Sequence, residues 1–273
     1  MMIKRSNYIF TLFVLCLIFT ACSSQTTPDF EVIAHDTVQT KFQKPREKPT
    51  VVGAERISLY IELLKNKRVG IVSNQTSTIG ENHLVDTLLS LGINIRRVFS
   101  PEHGFRGNHD AGANIDHSID QKTGLPIFSL HGKTKKPTQE SLKDIDIIVF
   151  DIQDVGVRFY TYISTLHYVM EAVAEENIEI AVLDRPNPNA HYIDGPVLDT
   201  NFRSFIGMHP VPVVYGMTIG EYAKMINGEY WLKDSLQANL KIIPLQNWTH
   251  NTPYILPIAP SPNLPNQLSI YLY

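Results

Sequence analysis

The sequence predicts an α/β protein with a Rossmann-like, mostly parallel sheet flanked by helices, followed by the start of a smaller C-terminal domain. From Val51 onward, apolar runs rich in β-branched residues alternate with helix-like patterns. Strands that alternate with helices indicate βαβ units and therefore a parallel sheet. One run, from Ile145 to Phe150, is almost continuously apolar, which is typical of a central strand covered on both faces.

Five strands and four helices make up the regular part of this pattern. The predicted strands are residues 68–72, 93–99, 126–130, 145–152 and 178–183. The predicted helices are residues 57–64, 82–91, 138–143 and 163–176. The chain has no G-x-G-x-x-G sequence, so dinucleotide binding has no support.

The C-terminal part adds one helix and one strand. Thr218 and Glu221 have the spacing of a capping box, which predicts a helix start and makes Glu221 structural rather than catalytic. Residues 240–245 predict another strand, and a proline-rich stretch follows it. We therefore predict a Rossmann-like catalytic domain at residues 51–232 and an incomplete C-terminal domain at residues 233–273.

Composition places the chain among globular proteins and limits its partners. The 273 residues are 43% hydrophobic and 19% charged, as in an ordinary folded domain. The formal net charge is -3 and no basic run occurs, so nothing indicates binding of nucleic acid. Both cysteines, Cys16 and Cys22, lie near the N-terminus. The rest of the chain is therefore predicted to have no disulfide, no thiol nucleophile and no cysteine-ligated metal.

The first 21 residues resemble a bacterial lipoprotein signal peptide. Lys4 and Arg5 precede an apolar run that is too short and too near the start for an ordinary membrane-spanning helix. Small residues then precede Cys22, the predicted lipidation site; the alternative is a plain signal peptide with an incidental cysteine. Residues 22–50 are polar and contain prolines, which predicts a tether. The protein is expected to be exported and lipid-anchored to a bacterial membrane, facing the periplasm or the cell exterior.

Polar and charged side chains follow all five predicted strands. In an open α/β sheet this edge binds ligands, so we expect one shared pocket for a small polar ligand. Ordinary loop polarity is the alternative explanation. The candidate binding residues are Asn74, Gln75, His103, Arg106, His131, Gln153, Arg158, Tyr160, Tyr162, Arg185 and Asn187.

Carboxylates, amides, guanidinium groups and aromatic rings together are typical of a sugar site. Glycoside hydrolysis needs a proton donor at the leaving oxygen and a second group at the anomeric carbon. Glu102 is the best candidate acid, because it lies at a strand end between Pro101 and His103, where partial burial favours the protonated carboxyl. An exposed glutamate paired with Arg106 is the alternative. The candidates for the second carboxylate are Asp151, Asp154 and Asp184. Asp151 could equally have a structural role.

Neither a metal nor any other cofactor is predicted. Three histidines and two aspartates lie between residues 103 and 117, but their spacing matches no compact metal-binding motif. A Gly-x-Ser-x-Gly elbow is missing, which disfavours an α/β-hydrolase triad. A metal-dependent amidase that uses His103 and His109 is kept as an alternative.

Four ordered blocks resemble the exo-β-N-acetylmuramidases of the NamZ type, a family first known as an uncharacterised domain. The blocks are Ser-Pro-Glu-His-Gly-Phe-Arg-Gly at 100–107, Asp-Ile-Gln-Asp-Val-Gly-Val-Arg-Phe-Tyr-Thr-Tyr at 151–162, Leu-Asp-Arg-Pro-Asn-Pro at 183–188 and Gly-Met-Thr-Ile-Gly-Glu at 216–221. The resemblance implies a Rossmann-like N-terminal domain, a smaller C-terminal domain and an active site in the cleft between them.

The resemblance also implies an activity: removal of non-reducing terminal β-1,4-linked N-acetylmuramic acid from peptidoglycan fragments, in cell-wall turnover or recycling. The implied partners are peptidoglycan-derived muropeptides or disaccharides, and the family's proposed catalytic glutamate corresponds to Glu102. The lactyl carboxylate of this sugar needs a cation, which Arg106 or Arg158 would supply unless they orient Glu102 or a loop carbonyl. The 2-acetamido group could act as nucleophile in place of a second carboxylate. A lipid-anchored muropeptide-binding protein without turnover is the rival interpretation.

Two features depart from the family pattern. Family members continue well beyond the Pro-Ser-Pro-Asn-Leu-Pro sequence found here at residues 260–265, whereas this chain stops at Tyr273. We therefore expect a truncated C-terminal domain. His131 also stands where many members have tyrosine, which would alter one sugar contact.

Overall fold

The computed structural model describes residues 48–102, 104–107 and 118–273. Its strands are β1 (Val69–Ser73), β2 (Thr78–Ile79), β3 (Asn82–His83), β4 (Ile95–Ser100), β5 (Ser118–Ile119), β6 (Pro126–Ser129), β7 (Ile147–Asp151), β8 (Glu179–Leu183) and β9 (Asn239–Ile243). Its α-helices are α1 (Ile61–Leu64), α2 (Leu84–Ser90), α3 (Gln139–Leu142), α4 (Tyr162–Glu175), α5 (Ile219–Gly228) and α6 (Gln267–Leu272).

Seven strands form one sheet in the order β5-β6-β4-β1-β7-β8-β9. Every neighbouring pair is parallel except β5 with β6. When the parallel strands are numbered along the chain, their order is 3-2-1-4-5-6, the doubly wound Rossmann order. The predicted α/β fold class is therefore confirmed.

The sheet is covered on both faces, which explains its apolar strands. In β7, Ile148 and Phe150 belong to one core cluster, and Ile147 and Val149 belong to the other. This alternation is the two-residue period of a strand that packs on both sides. Helices α4 and α5 contribute to the first cluster, and α2 contributes to the second. All five residues of β1 and of β7 are buried, as expected of central parallel strands.

The region before and after β1 departs from the predicted helices. Residues 57–64 form a 3₁₀ turn followed by the single turn of α1 rather than one continuous helix. The first two residues of the predicted helix 82–91 instead pair with Thr78–Ile79 in an antiparallel hairpin. His83 then caps α2, because its Nδ1 accepts a hydrogen bond from the Val85 N–H.

Strand β9 lies beyond the predicted domain boundary at residue 233, yet it belongs to the main sheet. Strand β9, which the prediction assigned to the C-terminal domain, pairs in parallel with β8 from Asn239 to Ile243. Ile243 is buried in the same core as β8, so burial of this apolar residue explains why β9 joins the sheet.

The predicted signal peptide, Cys22 and the predicted tether as far as residue 47 lie outside the described residues. Within the part of the chain that the structure does describe, no helix has the length and apolar character needed to cross a bilayer.

Candidate functional site

The carboxyl ends of β4, β1 and β7 meet beside the point where the strand order reverses. This switch point, between β1 and β7, is where doubly wound sheets open the crevice that binds ligands. Asn74 and Gln75 follow β1, Gln153 and Asp154 follow β7, and Glu102 follows the neighbouring strand β4. The topology thus brings the predicted residues of these three loops to one place.

Asn74 organises this edge from a fully buried position. Its side-chain oxygen accepts hydrogen bonds from the Thr76 N–H at 2.9 Å and from the Thr76 hydroxyl at 2.6 Å. Its Nδ2 donates to the Tyr162 hydroxyl at 2.9 Å, and its carbonyl oxygen lies 2.9 Å from His83 Nε2. Asn74 therefore holds the loop after β1 against the start of α4, which is a structural role rather than the predicted substrate contact.

A cavity at this edge contains Glu102 among aromatic rings. Glu102 is half-buried, and the side chains of Phe159, Tyr160, Tyr162 and Tyr273 line the cavity with it. The rings of Tyr160 and Tyr162 meet edge to face with their centroids 4.8 Å apart. Aromatic faces can hold a sugar ring while a neighbouring carboxyl delivers a proton to its glycosidic oxygen.

The two tyrosines beside Glu102 keep their hydroxyl protons. Burial raises the pKa of Tyr160 and of Tyr162 above the ordinary value for tyrosine, so both hydroxyls keep their protons at neutral pH. The Tyr160 hydroxyl donates to the Pro260 carbonyl at 2.9 Å. Both residues were predicted to bind substrate, and the structure brings both to the cavity of Glu102.

Asp151 does not line this cavity, because it forms a buried ion pair with Arg185. Nε and Nη2 of Arg185 donate to the two carboxylate oxygens of Asp151 at 2.6 and 2.9 Å. Asp151 is fully buried and Arg185 is 3% exposed. Arg185 also donates to the Thr78 carbonyl at 3.1 Å. The structure thus gives Asp151 and Arg185 structural positions in place of the predicted catalytic and binding positions.

Asp184 lies far from Glu102 along the same edge. Three strand spacings separate β4 from β8, which amounts to roughly 14 Å. Asp184 accepts hydrogen bonds from the Gly220 N–H at 2.8 Å and from the Thr218 hydroxyl at 2.9 Å, at the start of α5. Burial raises the pKa of Asp184 to about 6. Asp184 thus anchors α5 and does not line the cavity of Glu102, and its catalytic role stays a prediction.

Asp154 is also removed from the cavity lining. It is 4% exposed, and its Oδ2 accepts hydrogen bonds from the Tyr215 hydroxyl and from the Gly156 N–H. Burial raises the pKa of Asp154 to about 6. Of the carboxylates considered from the sequence, only Glu102 therefore lines the cavity among the residues that the structure describes.

Gln153 and Asn187 tie neighbouring loops together instead of facing a ligand. Gln153 Nε2 donates to the Pro186 carbonyl at 2.7 Å, which joins the loops after β7 and β8. Asn187 Nδ2 donates to the Met217 carbonyl at 2.9 Å, which joins the loop after β8 to the start of α5. Both side chains are 3% exposed, so the structure does not support their predicted contact with substrate.

Arg106 forms a double ion pair below the loop of Glu102. It donates to both carboxylate oxygens of Asp120 at 2.8 Å, and to those of Asp86 at 3.0 and 3.2 Å. Its guanidinium carbon also lies 4.6 Å from the ring centroid of Phe105. These partners occupy Arg106, which does not line the cavity of Glu102, and its pairing with a lactyl carboxylate stays a prediction.

We expect the Arg106 ion pair to make stability depend on acid pH. Hydrogen bonds from Arg106 lower the pKa of Asp120 from 3.8 to about 2. Because the folded state has the lower pKa, this stabilisation is complete above pH 4 and is lost as the pH falls toward 2. Arg106→Gln should therefore cost about 2 kcal/mol at pH 7 and progressively less below pH 4. Urea unfolding at several pH values measures this, with the exposed Arg96→Gln as control. A cost that does not change with pH would contradict the assignment.

The remaining predicted binding residues lie outside the lining of the Glu102 cavity or outside the described residues. Arg158 Nη1 donates to the Pro196 and Val211 carbonyls at 2.9 and 2.5 Å, so the predicted lactyl contact is replaced by loop bonds. Gln75 reaches the proline-rich segment near Pro260. His131 follows β6 and is half-buried outside the lining of the Glu102 cavity. His103 lies outside the described residues.

Sequence reasoning missed part of the cavity wall. Ser261 and Asn263 line it beside Glu102, and so does Ile206. Ser261 and Asn263 lie in the proline-rich stretch that the sequence assigns to the predicted incomplete C-terminal domain at residues 233–273. The signal available in the sequence is the mixture of prolines and polar residues in a segment without helical or strand periodicity. Among the described residues, no group of three or more His, Cys, Asp or Glu could hold a metal ion.

The fold and the cavity define a class of protein: a doubly wound α/β protein with one carboxylate in an aromatic cleft beside the switch point. The family model for the N-terminal part of the exo-β-N-acetylmuramidase NamZ matches residues 69–268. The chain therefore belongs to the NamZ family, which confirms the resemblance found in the sequence.

Individual relatives agree with this membership. The chain is 44% identical over 221 residues to the peptidoglycan β-N-acetylmuramidase NamZ of Bacillus subtilis, covering 78% of this chain and 52% of that protein. Two crystal structures of DUF1343 family proteins from Bacteroides fragilis are similar, with TM-scores of 0.76 and 0.75 and identities of 50% and 38%. They cover 83% and 84% of this chain, and 60% and 59% of the solved chains. The chain thus spans about half the length of the curated relative.

Proposed function

We propose that this chain carries the acid-bearing half of an exo-β-N-acetylmuramidase. It would remove non-reducing terminal β-1,4-linked N-acetylmuramic acid from peptidoglycan-derived muropeptides or disaccharides, in cell-wall turnover or recycling. The observation that carries the proposal is the half-buried Glu102 in a cleft lined by four aromatic rings at the strand-end edge. The activity named for the Bacillus subtilis relative supports the choice of sugar.

The proposed mechanism uses Glu102 as the general acid. The aromatic rings would hold the pyranose so that its glycosidic oxygen faces the carboxyl, which donates a proton as the C–O bond breaks. A water molecule or the acetamido oxygen of the substrate would attack the anomeric carbon. Export and lipid anchoring through Cys22 belong to the same proposal, because they would keep the protein where cell-wall fragments occur.

The test is hydrolysis of 4-nitrophenyl β-N-acetylmuramide and of the disaccharide N-acetylmuramyl-β-1,4-N-acetylglucosamine. We expect release of N-acetylmuramic acid from both by the chain starting at Ser23, and no release from the matching β-N-acetylglucosaminide. Binding of free N-acetylmuramic acid without hydrolysis would favour the binding-protein interpretation. Chelator-sensitive cleavage of an amide bond in a muropeptide, without hydrolysis of either glycoside, would instead favour the metal-dependent amidase.

A further inference from the structure

A proline-rich strap closes one side of the Glu102 cavity. The strap is defined here as residues 257–265, which contain four prolines and lie outside every strand and α-helix. Pro260, Ser261 and Leu264 are buried, whereas Pro262 and Asn263 are exposed. The Leu264 N–H donates to the Ser261 carbonyl at 3.1 Å. The strap is therefore held mainly by what it touches rather than by its own backbone pairing.

Two side chains converge on one carbonyl of the strap. Gln75 Nε2 donates to the Pro260 carbonyl at 3.0 Å, and the Tyr160 hydroxyl donates to the same oxygen at 2.9 Å. Gln75 Nε2 also lies 3.3 Å from the Ala259 carbonyl. A carbonyl oxygen has two lone pairs, so both donors can bind it at once. The loops after β1 and β7 thus fix the strap at a single point.

The loop of Glu102 is fitted to this attachment. Gly107 has a φ of +74°, and a Cβ atom there would lie 3.0 Å from Cβ of Gln75. Glycine at this position lets Gln75 pass the loop and reach the strap. Tyr160 in turn packs edge to face against Tyr162, which is hydrogen-bonded to Asn74. The aromatic rings and the strap are therefore placed by one connected set of contacts.

The strap presents hydrogen-bonding groups to the cavity. Ser261 and Asn263 line the cavity that contains Glu102. Within the described residues, no hydrogen bond occupies the hydroxyl of Ser261 or the side-chain amide of Asn263. A hydroxyl and an amide can both donate and accept, which suits the hydroxyl and acetamido groups of a sugar.

We propose that the strap is the wall that recognises the polar substituents of the sugar ring, through Ser261 and Asn263. Gln75 and Tyr160 are then positioning residues that hold this wall opposite Glu102. The sugar class follows from the proposed function, but the attachment of the strap does not depend on it.

The attachment is tested without any ligand, by hydrogen exchange of the peptide spanning residues 257–265. The variants are Gln75→Leu, Tyr160→Phe and both together, and Gln139→Leu on the surface of α3 is the control. Loss of two hydrogen bonds should raise exchange in this peptide about tenfold or more, with no change in α5. Each single variant should show a smaller increase. Unchanged exchange in both single variants and the double variant would overturn the positioning role.

The recognition is tested by binding of free N-acetylmuramic acid. Asn263→Ala should weaken binding about tenfold in the wild-type chain. No hydrogen bond joins Gln75 and Asn263 in the described structure, yet Asn263→Ala should have little further effect once Gln75 and Tyr160 are replaced. Such coupling between residues that share no hydrogen bond indicates that the wall has been displaced.

The outcomes separate the two proposals. Additive effects of the substitutions on binding, or no binding by the wild-type chain, would overturn recognition by the strap. Coupled binding without hydrolysis of either glycoside would support the strap and count against the proposed enzyme activity.

Discussion

Replacing Glu102 by glutamine should reduce hydrolysis of the disaccharide by a factor of about 100 to 10,000, the range that general acid catalysis contributes. Glutamine keeps the size of the side chain and loses its transferable proton. Glu102 is half-buried in the aromatic cavity, so a neutral amide can fill its place without opening the loop. The variant is therefore expected to fold and to bind free N-acetylmuramic acid almost as the wild-type chain does.

The leaving group distinguishes an acid from any other role for Glu102. Nitrophenolate departs without a proton, whereas a sugar hydroxyl must be protonated as it leaves. The loss in Glu102→Gln should therefore be much larger for the disaccharide than for the nitrophenyl glycoside. The exposed Glu140→Gln on α3 is the matched control and should keep full activity. Equal losses with both substrates, or retained turnover of the disaccharide, would rule out Glu102 as the acid.

The second large effect is expected from the buried ion pair. Asp151→Ala should lower the free energy of unfolding by about 3–5 kcal/mol, because it leaves the guanidinium of Arg185 buried without its partner. Arg185→Met should have an effect of similar size. Asp151→Leu combined with Arg185→Met should be less harmful than either single change, since no unpaired charge remains. Urea unfolding followed by circular dichroism measures all of these changes.

The partly exposed ion pair between Arg68 and Asp146 is the control. Asp146→Ala should cost no more than about 1 kcal/mol, as is usual for surface pairs. Folded Asp151→Ala should retain the kcat of the wild-type chain. A variant of wild-type stability that lacks activity would restore the catalytic assignment of Asp151.

The fold was predictable because its central strands are recognisable in the sequence as apolar runs. A central parallel strand must be apolar on both faces, so β7 was visible as a run from Ile145 to Phe150. The β2–β3 hairpin and the two-residue β5 were not visible, since two residues carry no periodicity. Strand β9 was found, but its pairing with β8 was not, because sequence pattern does not say which strand a given strand adjoins.

The sequence predicted where the site lies better than it predicted which side chains line it. The residues predicted from the strand ends include Glu102, Tyr160 and Tyr162, which line one cavity. The strand ends did not reveal the ion pairs of Asp151 and Arg106, because a carboxylate or guanidinium looks the same in sequence whether it faces a ligand or an opposite charge. Ion pairing across distant loops is a property of the folded chain. The strap was missed for the same reason: its partners lie on other loops.

The position of β1 at the centre of the sheet has a consequence for how the protein folds. Val69 pairs with Ile95 on one side and with Ile147 on the other. Ile147 lies about 80 residues after Val69 in the chain. Contacts between residues so far apart in sequence slow folding, because the chain must lose conformational entropy before they form. The cleft beside β1 therefore cannot assemble until the chain through β7 has been made. The cavity of Glu102 also includes Ser261, Asn263 and Tyr273, so its walls are complete only when these later residues are in place.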